Sequence, residues 1–233
     1  MFSSQAFKDG VKHAIGVPAL GLGSSMFVFG AYLHSSGFSI FHSFLSTFFT
    51  FALPGQFVMA ETILAGGTFL NIFLAVLLVN GRLYPMTVNL IPVIRSENTS
   101  KLKQYLAAHF IAVTSWFNMF DVHHKLKQED KFNYFVGLGG FLWANSVVCT
   151  VLGYAFSNLV SHEILIAMVF INPMYFLIMT VSNLKEKKMI TSIILGGILS
   201  IVLHNIFSGW SVLIAGISAG SLGYFIFKKE NNE

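Results

Sequence analysis

Residues 79–85, which read VNGRLYP, place one arginine between two uncharged apolar runs at 69–79 and 86–94. A lone charge near the centre of a bilayer is costly, so the Arg82 side chain is expected to face the interior of a helix bundle or a cavity. Three roles remain open for this side chain. It extends to a membrane interface, it bonds carbonyl groups freed by a helix break, or its planar guanidinium holds a substrate carboxylate.

Prolines and glycines near this arginine predict breaks in the surrounding helices. A proline inside a helix removes a backbone hydrogen bond and frees a carbonyl group, which lipid tolerates only where the freed groups face protein or water. The predicted breaks are Pro54-Gly55, Asn80-Gly81 and Asn172-Pro173. Polar side chains beside them could bind the ammonium or carboxylate of a ligand, or cap the broken helices. The candidate binding residues are Pro54, Gly55, Gln56, Asn80, Arg82 and Asn172.

Two ionisable residues inside apolar stretches are candidates for coupling a ligand to the movement of a proton or another ion. Glu61 lies seven residues after Pro54 and therefore shares its helix face, but it also fits a solvated carboxylate at the cytoplasmic rim. His204 titrates near neutral pH, but a membrane histidine often only hydrogen-bonds a neighbouring helix. No metal or cofactor is predicted. The sequence has no His-Glu-x-x-His pattern and no Walker loop, so no enzyme activity is predicted.

The composition predicts a membrane protein. Of the 233 residues, 55% are hydrophobic and 10% are charged, whereas an ordinary soluble domain has about 25% charged residues. So little charge cannot cover a soluble globule of this size, and lipid must therefore supply part of the solvent. The basic residues lie at the edges of apolar stretches, which indicates membrane topology rather than nucleic-acid binding.

We therefore predict an all-α polytopic membrane protein with seven to eight transmembrane segments, some of them broken helices. Residues 1–233 form a single integral membrane domain in this prediction. A helix needs about 20 apolar residues to cross a bilayer. A loose similarity between residues 30–58 and 153–177 is a candidate internal repeat. The eight apolar stretches are 14–33, 38–60, 68–94, 104–120, 134–158, 163–182, 189–206 and 208–227.

Lysine and arginine are enriched in cytoplasmic loops, and this predicts the orientation of the chain. With eight crossings, both termini are cytoplasmic, and the cytoplasmic segments are 1–12, 121–133, 183–188 and 228–233. Residues 95–103 contradict that arrangement, because they would lie outside with three basic residues. In the alternative, 95–133 lies entirely inside and 104–120 is an interfacial or re-entrant helix. Residues 38–67 must then enter and leave the membrane on one side.

Two of the break sequences, FALPGQF at 51–57 and VNGRLYP at 79–85, resemble motifs of the AzlC-like branched-chain amino acid exporter family. That family typically carries Phe-Ala-Gly-Ala-Ala-Gln-Phe, a glycine-rich turn, and then Val-Asn-x-Arg before a Leu-Ala-Pro. The likeness covers most of residues 7–182. The matching positions are Gly10, Pro18, Phe51, Ala52, Gly55, Gln56, Phe57, Ala65, Gly66, Gly67, Val79, Asn80, Arg82, Leu90, Ile91, Pro92, Trp143, Thr150, Gly153, Phe170, Pro173 and Phe176.

The resemblance implies a secondary transporter of the bacterial cytoplasmic (inner) membrane. Such a protein exports branched-chain amino acids, and often methionine, together with a small AzlD-like membrane subunit. On this interpretation, Arg82 and neighbouring backbone amides bind the carboxylate of a small hydrophobic amino acid. Gln56, Asn80 or freed carbonyl groups bind its ammonium, and walls rich in phenylalanine contact its side chain.

Three acidic positions of the family are replaced in this chain. Ser115 and Trp116 stand where the family carries Asp-Glu, and Val169 stands where it carries an aspartate. Acidic residues are natural proton carriers in transporters, so the coupling ion and the substrate remain open. Two alternatives follow, namely a non-transporting membrane scaffold subunit that keeps the fold, or a channel.

Overall fold

The computed structural model describes residues 4–96, 99–182, 187–205 and 211–228. Every regular element in these ranges is a helix, which confirms the all-α prediction. The twelve α-helices of the described ranges are α1 (Ser4–Ala14), α2 (Val17–Ser35), α3 (Ile40–Phe49), α4 (Leu53–Leu64), α5 (Phe69–Asn80), α6 (Leu83–Ile94), α7 (Lys101–Ala108), α8 (Val113–Val122), α9 (Gln128–Phe156), α10 (His162–Ser182), α11 (Lys187–His204) and α12 (Ser211–Lys228). The chain divides into two compact units, Met1–Tyr175 and Phe176–Glu233. The single domain predicted for residues 1–233 stays a prediction.

The first unit is organised around α9, a helix of 29 residues against which α1, α2 and α3 pack. Glycines bring the backbones into direct contact: Gly10 lies against the Tyr134 carbonyl group, and Gly30 lies against that of Thr150. Along α2 these contacts advance from Gly23 with Cys149 to Gly30 with Tyr154, so α2 runs parallel to α9. The reciprocal contacts are those of Gly137 with Phe7 and of Gly153 with Phe27.

Within the described residues, three of the predicted apolar segments are interrupted by helix breaks, and two of these breaks lie at or near predicted positions. One break separates α3 from α4 at residues 50–52, and Pro54 lies in the first turn of α4, where its missing N–H group is not needed. The predicted break at Asn80-Gly81 is confirmed, because α5 ends there and α6 departs at 50°. The third break, between α7 and α8, was not predicted. The break predicted at Asn172-Pro173 is wrong, because α10 runs through these residues without interruption.

The pair α3–α4 forms a hairpin whose two ends lie at the carboxyl end of α9. Just before α3, the Phe38 carbonyl oxygen accepts a hydrogen bond from Tyr154. The other end of α3 lies at the middle of α9, where the Phe48 carbonyl oxygen accepts a hydrogen bond from Trp143 Nε1 at 3.1 Å. Helix α4 then returns along α2, and Glu61 accepts a hydrogen bond from Tyr32 near the carboxyl end of that helix.

The pair α7–α8 forms a second hairpin, and its two ends lie at the amino end of α9. Gln128, the first residue of α9, donates to the carbonyl oxygens of Val93 and Arg95 just before this hairpin. Its tip reaches the middle of α9, where His109 Nε2 donates to the Phe48 carbonyl oxygen at 2.9 Å. The chain then returns to the start of α9. The two hairpins therefore enter from opposite ends of α9 and meet at Phe48.

Length and apolar composition identify two described helices that could cross a membrane. These are α2 (Val17–Ser35) and α9 together with the short 3-10 turn that follows it (Gln128–Leu159). The bent pair α5–α6 makes a third if it is counted as one span. The predicted stretches 38–60 and 104–120 are each two short helices joined by a break, so neither is a single continuous span. The total of seven to eight crossings and the internal repeat stay predictions.

In the second unit, α11 packs against α12, with Ala215 and Ala219 buried and Gly196 close to Ala219. Residues 216–220, GISAG, fit the Gly-x-Ser-x-Gly pattern of a nucleophile elbow. They lie inside the continuous helix α12, which lacks the strand-to-helix turn that this motif requires. The pattern therefore carries no catalytic interpretation here.

Candidate functional site

Gln56 is the most enclosed of the predicted site residues. Gln56 lies near the start of α4, directly after the break between α3 and α4, and its side chain is fully buried. Its Nε2 donates a hydrogen bond to Thr47 Oγ1 at 2.9 Å, whereas its Oε1 is buried and has no hydrogen-bond partner among the described residues. A buried acceptor without a donor costs about 1–3 kcal/mol, so such an atom is a candidate contact for a ligand.

A chain of buried hydroxyl groups fixes the orientation of this amide. Thr150 Oγ1 donates to the Ser146 carbonyl oxygen, so the hydrogen of the 3.0 Å bond between Thr47 and Thr150 must come from Thr47. Thr47 Oγ1 then needs a donor, and Gln56 Nε2 supplies it. The acceptor Oε1 is therefore the atom that is left without a partner. The side chains of Gln56, Thr47, Thr150 and Ser146 are all fully buried.

Asn80 brings a second unpartnered acceptor to the same helix break. Its side-chain amide lies against Gly55, so closely that a Cβ atom at residue 55 would overlap it. Asn80 Oδ1 is buried and has no hydrogen-bond partner among the described residues. Because α4 and α5 pack against each other, the end of α5 thus meets the start of α4. The structure therefore places Asn80 against Gly55, the chain neighbour of Gln56, and their shared role as a binding site stays a prediction.

The amino end of α4 also offers backbone donors. The first residues of a helix have N–H groups without intrahelical acceptors. At α4 these are the groups of Leu53 and Gly55, since Pro54 has none and Gln56 N already donates to Ala52. Ala52, at the cap position, has no side chain that could accept from them. The positive end of the α4 dipole and two N–H groups are thus suited to an anionic group.

Arg82 occupies a different environment from the predicted one. It lies in the turn between α5 and α6 and is exposed, rather than enclosed in a bundle. No described residue forms a hydrogen bond or an ion pair with its guanidinium group. The prediction that Arg82 bonds carbonyl groups freed by the break is therefore not met within the described residues. Its closeness in sequence to Asn80 keeps it beside the candidate site.

The other predicted site residues lie elsewhere. Glu61 is exposed at the far end of α4 and accepts a hydrogen bond from Tyr32, so it does not join Gln56. His204 is an exposed residue at the end of α11, in the second unit. The side chain of Asn172 lies outside the described residues. No group of three or more potential metal ligands occurs among the described residues.

Sequence reasoning missed the residues that hold the two breaks in place. Thr47 and Thr150 fix the Gln56 amide, and His109 and Trp143 bind the Phe48 carbonyl oxygen in the last turn of α3. Thr47 belongs to the spaced hydroxyl residues of the second apolar stretch, which is a signal that the sequence does carry. Thr150 lies 103 residues from Thr47, and His109 and Trp143 lie 61 and 95 residues from Phe48, so no local sequence pattern gives these pairings.

Ser115, at a position where the resemblance implies an acidic residue, forms only local hydrogen bonds. It lies in the first turn of α8, receives a hydrogen bond from Ala112 N at 2.9 Å and donates to the Phe110 carbonyl oxygen at 2.7 Å. It therefore closes the break between α7 and α8 by local hydrogen bonds. A neutral hydroxyl in this position stabilises the turn and carries no charge.

These apolar helices, with polar groups enclosed at their breaks, define a helical membrane protein. The AzlC family model, described as AzlC protein, matches residues 18–160, which is more than half of the chain. The chain belongs to the AzlC family, a transporter family associated with branched-chain amino acids. No curated protein and no solved structure matches the chain.

Proposed function

We propose that this protein is a secondary transporter that exports branched-chain or other hydrophobic amino acids across the bacterial cytoplasmic membrane. The observation that carries the proposal is the pair of buried acceptors, Gln56 Oε1 and Asn80 Oδ1, left without donors where two helix breaks meet. Broken helices with polar groups at membrane depth are typical of substrate sites in secondary transporters. Membership of the AzlC family supports the substrate class.

The two acceptors suit the ammonium group of an amino acid, which offers three N–H donors. The carboxylate would then bind the N–H groups of Leu53 and Gly55 at the start of α4, with Arg82 as a further cation. The proposed ammonium contacts are uncharged amides, which is consistent with a chain in which the family's acidic residues are replaced. Pro54 starts the helix after the break without an N–H group that would need an acceptor, and Asn172 remains a candidate contact.

The hairpin contacts support the re-entrant arrangement rather than eight crossings. In it, α2, the pair α5–α6 and α9 cross the membrane, while α3–α4 and α7–α8 enter and leave on one side each. Every Lys and Arg of residues 1–175 except Arg82 then lies at the amino end of α9. The basic segment 95–103 no longer contradicts the positive-inside rule, and the N-terminus is cytoplasmic. We extend this to a cytoplasmic C-terminus, because residues 228–233 begin with two lysines.

A small AzlD-like membrane subunit is the partner we propose. No residue of α5 is fully buried, although the Asn80 Oδ1 atom is, and Arg82 is exposed just after its end. A cation exposed to lipid beside two apolar helices is costly. A second protein surface is therefore needed to shield Arg82 from the lipid. A small membrane subunit against α5 would supply it and would complete the site around Arg82.

A scaffold without transport activity is the second candidate, because Ser115 has only a local structural role in place of an acid. A thermal-shift scan of the purified protein against the twenty amino acids separates the two, since a ligand that binds only the folded state raises apparent stability. We expect leucine, isoleucine, valine or methionine to give a shift. A scaffold that binds no amino acid should give no thermal shift with any of them.

The variant Asn80→Leu makes this test specific. It removes an acceptor that has no partner, so it should leave the stability without ligand unchanged or higher. We expect it to abolish the shift given by leucine. Asn71→Leu, an exposed position on the same helix, is the matched control and should retain the shift. Equal shifts in wild type and Asn80→Leu would refute the assignment.

A further inference from the structure

An apolar cavity of about 510 Å³ lies on the flank of α9 where the two hairpins meet. It is bounded by the end of α3, by α7 and by α9, and neither Gln56 nor Asn80 lines it. Its volume falls within the range of about 300–1,000 Å³ that is usual for ligand pockets. The wall is largely apolar and aromatic, and it includes Phe48, Leu106, Phe132, Val136 and Trp143.

The length of the cavity matches one leaflet of a bilayer. Phe132 and Trp143 both line it and lie on the same continuous helix, α9. At about 1.5 Å of rise per residue, they are about 16 Å apart along the helix axis. This is close to half of the hydrocarbon thickness of about 30 Å. The cavity thus runs from near the amino end of α9 to the middle of the membrane.

The charge at one end of the cavity indicates which lipid would occupy it. Lys103 lines the cavity together with Phe132, close to the amino end of α9. Arg95, whose carbonyl oxygen accepts a hydrogen bond from Gln128 Nε2, lies at the same end of α9. In the topology proposed above this end faces the cytoplasm, where the leaflet carries anionic lipids. Basic pockets between membrane helices on that side bind anionic lipid head groups.

We propose that the cavity binds one acyl chain of an anionic phospholipid from the cytoplasmic leaflet, with the phosphate at Lys103. The leaflet assignment depends on the proposed topology, but the site is independent of the amino acid site. The chain contacts Phe48 at the tip of one hairpin and Phe110 at the tip of the other. A bound lipid therefore holds the two tips together against Trp143, where both reach α9.

The test is native mass spectrometry of the purified full-length protein, titrated after delipidation with phosphatidylglycerol or with phosphatidylcholine of the same acyl chains. Wild type should retain phosphatidylglycerol in preference. Lys103→Gln should lower that preference about fivefold, the contribution of one basic residue at an anionic surface. Lys101→Gln, which removes an exposed charge from the same helix outside the cavity, is the matched control and should leave the preference unchanged.

A second variant tests the acyl-chain site itself. Val136→Trp fills the cavity and should reduce the retention of both lipids, while the protein still gives its thermal shift with leucine. Equal retention of the two lipids by wild type, or an equal effect of Lys101→Gln and Lys103→Gln, would overturn the proposal. Loss of the leucine shift in Val136→Trp would assign the cavity to the substrate instead. Lipid retention without any leucine shift would contradict only the proposed transport function.

Discussion

The Gln56 amide is oriented by a chain of hydroxyl groups that ends on the backbone of α9. Thr47, Thr150 and Ser146 are fully buried, so each of their polar groups needs its partner. We predict that Thr150→Val, which leaves the Thr47 hydroxyl without its acceptor, lowers the free energy of unfolding by about 1–3 kcal/mol. It should also weaken the leucine-induced shift, because the Gln56 amide is then free to turn.

Thr62→Val is the matched control for this variant. The Thr62 hydroxyl donates only to the Val58 carbonyl oxygen of its own helix and is partly exposed. Thermal unfolding in detergent with and without leucine measures both effects. An unchanged leucine shift in Thr150→Val would show that the hydroxyl chain does not position Gln56.

The partly buried His13 should make the stability of the folded protein depend on pH, independently of the transport site. Burial lowers the pKa of His13 from its ordinary value of 6.5, and the attraction of Asp121 offsets only part of this effect. The unfolded chain therefore binds this proton more tightly than the folded chain, so stability falls as the pH decreases from about 6.5 towards the lowered pKa. Thermal midpoints measured from about pH 5 to about pH 8 should rise with pH. An equally steep rise of the thermal midpoint with pH in His13→Gln would show that His13 is not the cause.

The sequence predicts the polar residues at the breaks but not their environments. Gln56 and Asn80 are recognisable because amides beside glycine and proline are unusual in apolar runs, and both prove to be buried acceptors. Arg82 was expected to be enclosed because charge is costly in lipid, yet it is exposed in this single chain. That cost applies to the assembled protein in its membrane, and one sequence does not reveal what covers a residue.

Helices α1 and α2 are held on α9 by glycines that allow backbone contact. A Cβ atom at Gly30 would overlap the backbone of Thr150, which belongs to a continuous helix and cannot move aside locally. We predict that Gly30→Ala lowers the free energy of unfolding by about 1–3 kcal/mol, in the range for overpacking. Equilibrium unfolding in detergent measures this value.

Gly220→Ala is the control, because no atom of the described residues lies within 4 Å of a Cβ built there. Alanine is the better helix former, so this variant should be neutral or gain up to about 1 kcal/mol. Equal destabilisation by both substitutions would mean that close packing at Gly30 is not what holds α2 against α9.

The helix breaks show where local sequence signals succeed and where they fail. Asn80-Gly81 is a true helix end, whereas Pro54 lies two residues inside the helix it was expected to interrupt, since a proline fits the first turn. The break between α7 and α8 contains no proline or glycine. It depends on contacts of His109 and Phe110 with distant residues, which a local pattern does not encode.

In the proposed re-entrant arrangement, the two opposed hairpins determine on which side of the membrane each loop lies. We predict that cysteines placed at Lys101 and Lys125, in a Cys149→Ser background, react with an impermeant maleimide only from the cytoplasmic side. Cysteines at Ser35 and Leu64 should react only from the opposite side, because α3–α4 returns to the end where it began. All four positions are exposed in the structure.

Eight crossings give a different pattern, in which Lys101 is external and Leu64 is cytoplasmic. Labelling of right-side-out and inside-out vesicles distinguishes the two arrangements directly. Labelling of Lys101 and Lys125 from opposite sides would refute the re-entrant hairpins and, with them, the cytoplasmic leaflet assigned to the lipid site.

The central claim is that this molecule is a carrier whose substrate binds where α4 and α5 meet. The most direct measurement is counterflow in proteoliposomes, in which excess unlabelled leucine inside drives the transient accumulation of labelled leucine from outside. We expect accumulation by wild type and by Asn71→Leu, and none by Asn80→Leu. Accumulation by Asn80→Leu equal to that of wild type would contradict the site, and wild type indistinguishable from empty liposomes would contradict transport.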